Sequence, residues 1–204
     1  MEVLRILSSG DHWLAPRTEL VRADGRLYAR KQYPRASPLG RMLLNHEASI
    51  LRALDGVSGI PRIVEHRPDR FFKIEYHEGI HVNECPPKRL TREVFDRLVD
   101  LVNRMHARRV THLDLRQRKN ILIDPNGFPV IVDFQSSIHF PDNGIFSPLF
   151  EICRWVDWSA LVRWKNRYFP DLMTESDRMF QRFHLLLRPI WFVSPFTKRA
   201  RDVV

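Results

Sequence analysis

The chain has 204 residues, of which 44% are hydrophobic and 28% are charged, and its formal net charge at pH 7 is +9. This size and composition are typical of a folded protein of one domain, or of one domain in two lobes, and they exclude a disordered or fibrous chain. The basic balance favours anionic partners, such as phosphorylated substrates, acidic lipid headgroups or nucleic acid.

The two cysteines, Cys85 and Cys153, belong to no CxxC pair and to no Cys/His cluster with zinc spacing. We expect two free thiols in a reducing cytoplasm. Residues 1–5 lack the basic-then-apolar pattern of a signal peptide, and no apolar run approaches the roughly 20 residues of a spanning helix. The best candidate, residues 185–196, is interrupted by an arginine and two prolines. The sequence therefore predicts a cytoplasmic protein without a transmembrane segment.

The first third of the chain predicts short strands around one helix. Two alternating runs within residues 18–32 are separated by Asp24-Gly25, which is a strong hairpin signal. Apolar residues recur at helical spacing over residues 39–54, and residues 60–64 and 71–76 have the character of further strands.

A linker over residues 79–87 is followed by a mainly helical pattern. Thr91 is the predicted N-cap of a helix whose apolar positions continue to Met105. Residues 121–123 and 130–132 then form two short apolar runs around Asp-Pro-Asn-Gly, the usual chemistry of a hairpin turn.

The last third, residues 150–201, is helical in pattern and rich in Trp, Phe and Arg. The order of elements predicts an α+β protein in two lobes, with a cleft at the linker. The N-terminal lobe (residues 1–78) is β-rich with one helix, and the C-terminal lobe (residues 79–204) is reduced and mainly helical.

The second hairpin carries the groups with the clearest chemical use. Asp114 follows a helix end, Asn120 opens the first strand, and Asp133 follows the second. Antiparallel pairing would bring Asn120 and Asp133 toward the same end of the hairpin. A carboxylate beside an amide oxygen suits Mg²⁺, which shares its remaining positions with phosphates and water. Asp114 could accept or orient the proton of an attacking hydroxyl.

These residues resemble the signature segments of protein kinases. His112-Leu113-Asp114-Leu115 with Asn120, followed by Val132-Asp133-Phe134, is similar to the catalytic loop and the metal-binding Asp-Phe-Gly. Tyr28-Ala29-Arg30-Lys31 resembles the strand that supplies the phosphate-binding Lys, Glu47 lies on the following helix, and Phe72-Lys73-Ile74-Glu75-Tyr76 resembles the hinge strand. The resemblance spans residues 18–160, and it is strongest to small bacterial members, the RIO-like kinases and the kinases of lipopolysaccharide core sugars.

The resemblance implies a two-lobed protein-kinase-like fold and a phosphotransferase that uses ATP and Mg²⁺. The implied roles are phosphate binding by Lys31, support of Lys31 by Glu47, adenine binding by the backbone of Glu75 and Tyr76, proton handling by Asp114, and Mg²⁺ binding by Asn120 and Asp133. Asp157 is either a buried helix residue that braces the catalytic loop or a helix-surface carboxylate. His112 is expected to hold the loop by hydrogen bonds. Alternation along the strand favours Lys31 over the adjacent Arg30.

The sequence departs from the kinase pattern in three places. Five residues, rather than four, separate Asp114 from Asn120. No GxGxxG is present, and only Ser8-Ser9-Gly10-Asp11-His12 lies in a position to cover phosphates. Gln135 replaces the Gly of Asp-Phe-Gly, and no Ala-Pro-Glu follows. We therefore expect no regulation by phosphorylation of an activation loop.

Arg116, Arg118 and Lys119 make the catalytic loop basic and are predicted to face an anionic substrate, because Arg binds phosphate and carboxylate well. The acceptor that fits is a hydroxyl of a lipopolysaccharide core sugar or related glycolipid at the inner face of the cytoplasmic membrane. A RIO-like serine/threonine protein kinase and a catalytically weak pseudokinase that serves as a nucleotide-binding or scaffold module are the alternatives. The basic and aromatic tail, residues 178–201, either contacts anionic lipid or packs on the helical lobe. No specific nucleic-acid recognition module is present in the sequence.

Overall fold

The computed structural model of the protein describes residues 2–10, 16–33, 38–68 and 70–187. Its fold is mixed α+β, with a β-rich sheet in the N-terminal part and a helical C-terminal part. The strands are β1 (Glu2–Ser8), β2 (Arg17–Ala23), β3 (Arg26–Gln32), β4 (Ile63–Arg67), β5 (Phe71–Glu75), β6 (Ile80–His81), β7 (Val110–Thr111), β8 (Ile121–Ile123), β9 (Pro129–Ile131) and β10 (Ile138–His139). The helices are α1 (Pro38–Ala53), α2 (Arg92–Ala107), α3 (Ser147–Tyr168) and α4 (Glu175–Leu187), with short 3₁₀ turns between them.

The N-terminal sheet has five antiparallel strands in the order β1-β2-β3-β5-β4. The predicted hairpin is confirmed: Ala23 pairs with Arg26 across Asp24 and Gly25, whose φ angles are 48° and 73°. Two consecutive positive φ angles match the twist of a tight antiparallel hairpin, and Asp-Gly adopts them readily. Strand β1 adds an outer strand that the sequence pattern did not indicate.

Helix α1 matches the predicted helix closely and buries Leu44, Ala48 and Leu51. Strand β4 begins later than predicted, at Ile63 rather than at residue 60. The reason is a turn in which the backbone carbonyl of Gly59 accepts the N–H of Ile131 at 2.9 Å. A Cβ at position 59 would come within 2.9 Å of a backbone oxygen, so glycine permits this close approach to β9.

The C-terminal part is built on α2, a small sheet and α3. Thr91 is the N-cap of α2, as predicted, and its side chain accepts the N–H of Val94 at 3.4 Å. The second predicted hairpin is also confirmed, since β8 pairs with β9. Asp124 closes its turn by accepting the backbone N–H groups of Asn126 and Phe128 at 2.9 and 2.7 Å. Asp124 is thus a turn residue.

A single buried cluster joins the two parts of the chain. It includes Leu44 of α1, Phe72 of β5, Leu101 of α2, Ile121 of β8 and Leu161 of α3. Full burial of each such side chain contributes roughly 1.5–3 kcal/mol. The sheet, α1 and the segments around β8 and β9 are therefore held in fixed relation, and polar side chains from all of them can meet at one place.

Both cysteines are free, as expected, and both are buried. None of the helices within the described ranges has the length and apolar character needed to cross a bilayer. The predicted tail beyond residue 187 lies outside the described residues.

Candidate functional site

Lys31 is buried on the inner face of β3. Ala29 and Lys31 lie on that face, and Lys31 is 7% exposed. Its Nζ lies 2.7 Å from Glu47 Oε1 and 2.8 Å from Asp133 Oδ1. Arg30 points to the other side, where it forms an ion pair with buried Glu19. The structure therefore brings Lys31 together with Glu47 and Asp133, and it separates Arg30 from them.

The three charged groups set one another's protonation. Burial alone would lower the pKa of Lys31, but the carboxylates of Asp133 and Glu47 outweigh it and raise that pKa above its ordinary value. The Lys31 ammonium in turn lowers the pKa of Asp133 against the effect of burial. For Glu47, burial raises the pKa and Lys31 only partly opposes it. At neutral pH Lys31 is a cation and Asp133 is an anion.

Glu47 also fixes the segment that follows Asp133. Its Oε1 accepts the backbone N–H of Phe134 at 3.2 Å, while its Oε2 is buried without a hydrogen-bond partner among the described residues. The ring of Phe134 is buried against His112, with the ring centroids 4.9 Å apart. Helix α1 is thereby tied both to β3 and to the backbone next to Asp133.

Asp114 and Asn120 form a second polar pair. Asn120 Nδ2 donates to the backbone carbonyl of Asp114 at 3.1 Å and to its Oδ2 at 3.0 Å. Gln117 Nε2 donates to the same Oδ2 at 2.6 Å. Burial raises the pKa of Asp114, although these donors oppose the rise. The carbonyl of Asn120 accepts the N–H of Val132 at 2.9 Å, so Asn120 lies beside the residue that precedes Asp133.

Asp133 and Asn120 supply a donor set that fits Mg²⁺. Asp133 is ionised, and Asn120 Oδ1 accepts no hydrogen bond from the described residues. Mg²⁺ is commonly bound by one or two protein oxygens plus phosphates and water. Within the described ranges, no group of three or more His, Cys, Asp or Glu side chains is arranged to hold a metal ion.

Asp157 is buried on α3 and braces the loop before Asp114. Its Oδ1 accepts the N–H of Leu113 at 2.8 Å, and its Oδ2 accepts the N–H of His112 at 2.8 Å and His106 Nε2 at 2.9 Å. Leu113 has a φ of 66°, a conformation that a leucine rarely adopts. Of the two roles that the sequence left open, the structure thus places Asp157 inside the protein and not on a helix surface.

His112 connects the loop to the hairpin. Its Nδ1 accepts the N–H of Asp114 at 3.3 Å, so its Nε2 carries the hydrogen that is donated to the carbonyl of Val132 at 3.1 Å. Both ring nitrogens of His112 are therefore used in backbone contacts.

The three basic residues of the loop divide between two places. Lys119 is among the charges that lower the pKa of Asp133. Arg116 and Arg118 line a cavity of about 570 Å³, together with Arg163 and Arg167 of α3. Sequence reasoning missed the last two. Their only signal was a basic pair four residues apart on a helix, which is also the pattern of an ordinary solvated face.

The predicted hinge residues use their backbone N–H groups within the protein. The N–H of Glu75 donates to the carbonyl of Arg62 at 3.0 Å, and that of Tyr76 donates to the carbonyl of Leu27 at 3.4 Å. The next N–H along the chain, that of His77, has no acceptor among the described residues. A ligand on this strand end would therefore meet the N–H of His77, which the sequence did not single out.

The segment proposed to cover phosphates is described only in part. Ser8 ends β1, and Gly10 has a φ of 71°. Asp11 and His12 lie outside the described residues.

No protein-family model matches the chain. The chain is similar to a protein of Synechocystis sp. (strain ATCC 27184 / PCC 6803 / Kazusa) named serine/threonine-protein kinase D, with 26% identity over 147 residues. The match covers 65% of this chain and 29% of the relative, so the chain spans less than a third of that protein's length. This similarity suggests a kinase-like relationship, and it does not indicate a particular subfamily of kinases.

Proposed function

We propose that the protein is an ATP- and Mg²⁺-dependent phosphotransferase with a two-lobed protein-kinase-like fold, its lobes being residues 1–78 and 79–204. The observation that carries the proposal is the position of Lys31 Nζ, within 2.8 Å of both Glu47 and Asp133. Asp114 and Asn120 lie on the loop beside Asp133. The similarity to a serine/threonine-protein kinase supports the same class of reaction.

The nucleotide would lie against β3 and the end of β5. Lys31 supplies the cation for the α- and β-phosphates, and Glu47 holds its side chain in place. The backbone from Glu75 to His77 would hold the adenine, and the His77 N–H is the donor that is left for it. Asp133 and Asn120 would hold Mg²⁺, which neutralises phosphate charge when bound.

The acceptor hydroxyl would lie at Asp114, which orients it and takes its proton. The raised pKa of Asp114 favours this part, since a carboxylate of higher pKa is a better base. Gln117 and Asn120 hold Oδ2 of Asp114 in position. Phosphoryl transfer depends mainly on positioning and on charge neutralisation, and these residues supply both.

For the acceptor we propose an anionic molecule, namely a lipopolysaccharide core sugar or related glycolipid at the inner face of the cytoplasmic membrane. Arg116, Arg118 and Lys119, on the loop that follows Asp114, support an anionic acceptor. A protein serine or threonine is the second candidate, and it is supported by the similarity to a serine/threonine-protein kinase.

The direct test is thermal unfolding with and without ATP and Mg²⁺ in the wild type, in Asp133→Asn, and in Asp96→Asn as a control on the exposed face of α2. We expect ATP with Mg²⁺ to raise the melting temperature of the wild type and of Asp96→Asn, and to have little effect on Asp133→Asn. No shift in any of the three proteins would refute the proposal.

A second experiment separates the candidate acceptors. Labelled ATP is incubated with the protein and a cell-envelope extract, and the label is followed into lipid, sugar and protein fractions. Label in the glycolipid fraction supports the first acceptor, and label in protein supports the second. ATP binding without transfer to any fraction would identify a pseudokinase that serves as a nucleotide-binding or scaffold module.

Flotation with anionic liposomes, before and after removal of residues 190–204, tests the membrane contact.

A further inference from the structure

A cavity lined by four arginines lies beside the loop that follows Asp114. We propose that it binds a phosphate group already present on the acceptor, so that the protein phosphorylates a molecule that has been phosphorylated before. This inference rests on the proposed function, because only a phosphotransferase has an acceptor. The cavity itself does not depend on that function. We refer to this site as the arginine pocket.

The arginine pocket has a volume of about 570 Å³. Its described lining residues are Arg116, Arg118, Ser159, Ala160, Arg163, Trp164, Asn166, Arg167, Tyr168, Phe180 and Gln181. Four of them are arginines and none is acidic. The volume lies within the range of small-molecule sites, roughly 300–1,000 Å³.

Two of the three arginines of α3 have no acidic partner among the described residues. Arg163 and Arg167 are exposed, and neither forms an ion pair or a side-chain hydrogen bond with a described residue. Lys165, between them in sequence, differs, because it pairs with Asp177 at 2.6 Å. Two unpaired guanidinium groups at one cavity provide donors for an oxyanion.

The end of α3 works against an anion, but weakly. A helix C-terminus carries the equivalent of about half a negative charge. Four guanidinium groups and no acidic side chain are among the described residues that line the same cavity, so the net charge of this lining is positive. Arg118 is also held in place, since it donates to the hydroxyl of Tyr168 at 3.1 Å. The site therefore has at least one arginine whose direction is fixed before a ligand arrives.

The other walls suit a hydroxylated molecule. The rings of Trp164 and Tyr168 are tilted by 54° to each other with centroids 5.7 Å apart, and Phe180 adds a third ring to the wall. Asn166 and Gln181 offer amide donors and acceptors, which match sugar hydroxyls. Trp164 is 7% exposed, and its indole N–H has no hydrogen-bond partner among the described residues. Aromatic faces with a few polar groups and arginines fit a sugar that carries a phosphate better than an apolar ligand.

The arginine pocket begins where the catalytic loop leaves Asp114. The N–H of Gln117 donates to the carbonyl of Asp114 at 3.2 Å, which closes a tight turn. Arg116 and Arg118 flank Gln117, and the Cα of Arg116 lies within about 7 Å of the Cα of Asp114. The proposal therefore places the phosphate of the acceptor in the pocket and its hydroxyl at Asp114.

Binding is tested with the full chain by fluorescence titration, for which Trp164 is a natural reporter in the pocket wall. The soluble probe is glucose 6-phosphate, with glucose as its uncharged counterpart. The membrane probe is a vesicle that contains phosphatidylinositol 4-phosphate, with phosphatidylinositol vesicles as the counterpart. The two arms distinguish a free phosphorylated sugar from a lipid headgroup with the same chemistry.

The pocket variant is Arg163→Gln/Arg167→Gln, and the matched control is Arg92→Gln/Arg108→Gln, which removes the same charge from exposed positions on or next to α2. We expect one of the phosphate-bearing probes to bind the wild type and the control with similar affinity, and the pocket variant at least about tenfold more weakly. The arm in which this occurs identifies the source of the phosphate.

Three results would overturn the inference: binding of glucose as strong as that of glucose 6-phosphate, an equal loss in the pocket and control variants, or no phosphate-dependent binding in either arm. The melting-temperature shift by ATP and Mg²⁺ is measured in the same variants. A shift that is retained while probe binding shows no dependence on the pocket refutes the inference and leaves the proposed function standing. If ATP and Mg²⁺ cause no shift while probe binding still depends on the pocket, the proposed function is refuted and the phosphate site stands.

Discussion

Lys31 Nζ lies 2.7 Å from Glu47 Oε1, and both side chains are almost completely buried. The two residues come from β3 and α1, and the same Oε1 also accepts the N–H of Phe134. A buried ion pair stabilises a fold little compared with apolar residues of the same volume, but removal of one partner leaves an uncompensated charge. The pair is therefore better explained by positioning than by stability.

The first prediction concerns Lys31→Met. Loss of the ammonium leaves the Glu47 carboxylate buried without its counter-ion, so we expect the free energy of unfolding in urea to fall by about 3 kcal/mol. The double variant Lys31→Met/Glu47→Gln should recover part of this loss, because a neutral amide needs no counter-ion. ATP-dependent stabilisation should not return with it. A double variant that is no more stable than Lys31→Met would show that the charge on Glu47 does not cause the loss.

The second prediction uses the backbone at Asp133. Its φ of 67° lies in the left-handed region, where Asn and Asp are tolerated better than other residues with a Cβ. Asp133→Asn should therefore keep the local backbone and remove only the charge. Asp133→Ala should be less stable than Asp133→Asn by about 1 kcal/mol in urea unfolding, because asparagine is tolerated better than alanine in the left-handed region. Equal stabilities would mean that the positive φ stores no strain.

The elements that the sequence predicted well are those with a strong local signal. The Asp24-Gly25 hairpin, the Thr91 cap and the Asp124 turn each follow from the chemistry of a few neighbouring residues, and all three are present. Strand β1 was missed because all seven of its residues are exposed, so its sequence shows no burial pattern of period two. Strand β4 begins late because Gly59 contacts β9, a contact between distant parts of the chain.

The candidate site shows the same division. Asp114, Asn120 and Asp133 lie on one hairpin and its preceding loop, so their proximity could be expected from strand pairing alone. The contacts of Asp157 could not, since they connect α3 with a loop more than forty residues earlier. The arginine pocket depends on where α3 ends relative to that loop. No spacing within the sequence reports this, which is why Arg163 and Arg167 were not identified.

The third prediction concerns Asp114→Asn. Because burial raises the pKa of Asp114, its ionised form is less favourable in the folded state than in the unfolded chain. We expect the variant to be more stable than the wild type at neutral pH and to lack phosphoryl transfer. The difference in unfolding free energy between the variant and the wild type should reach its full size above the raised pKa. It should vanish as the pH falls below about 3.9, the ordinary pKa of Asp.

For Asp133 the effect of ionisation on stability has the opposite sign. Its pKa is lowered, so its charge stabilises the fold at pH values above the ordinary pKa of Asp. Urea unfolding of the wild type and of Asp114→Asn at several pH values measures the difference. An Asp114→Asn variant that is less stable than the wild type at pH 7, and equally so at lower pH, would contradict the prediction.

The fourth prediction concerns Asp157, whose carboxylate accepts from Leu113, His112 and His106. Asp157→Ala leaves all three donors without this acceptor in the interior, and a buried unsatisfied donor costs about 1–3 kcal/mol. We expect the free energy of unfolding to fall by at least about 3 kcal/mol. Asp157→Asn keeps one acceptor oxygen and should lose less.

A second measurement separates loop positioning from bulk stability. Leu113 keeps its left-handed φ only while the surrounding contacts hold it, so the loop before Asp114 should relax in Asp157→Asn even where the protein stays folded. Hydrogen exchange of residues 112–120 should then accelerate in Asp157→Asn, while that of the β2–β3 hairpin stays unchanged. Asp171→Asn, an exposed change near the end of α3, is the control. Equal protection of the loop in the two variants would show that Asp157 does not hold it.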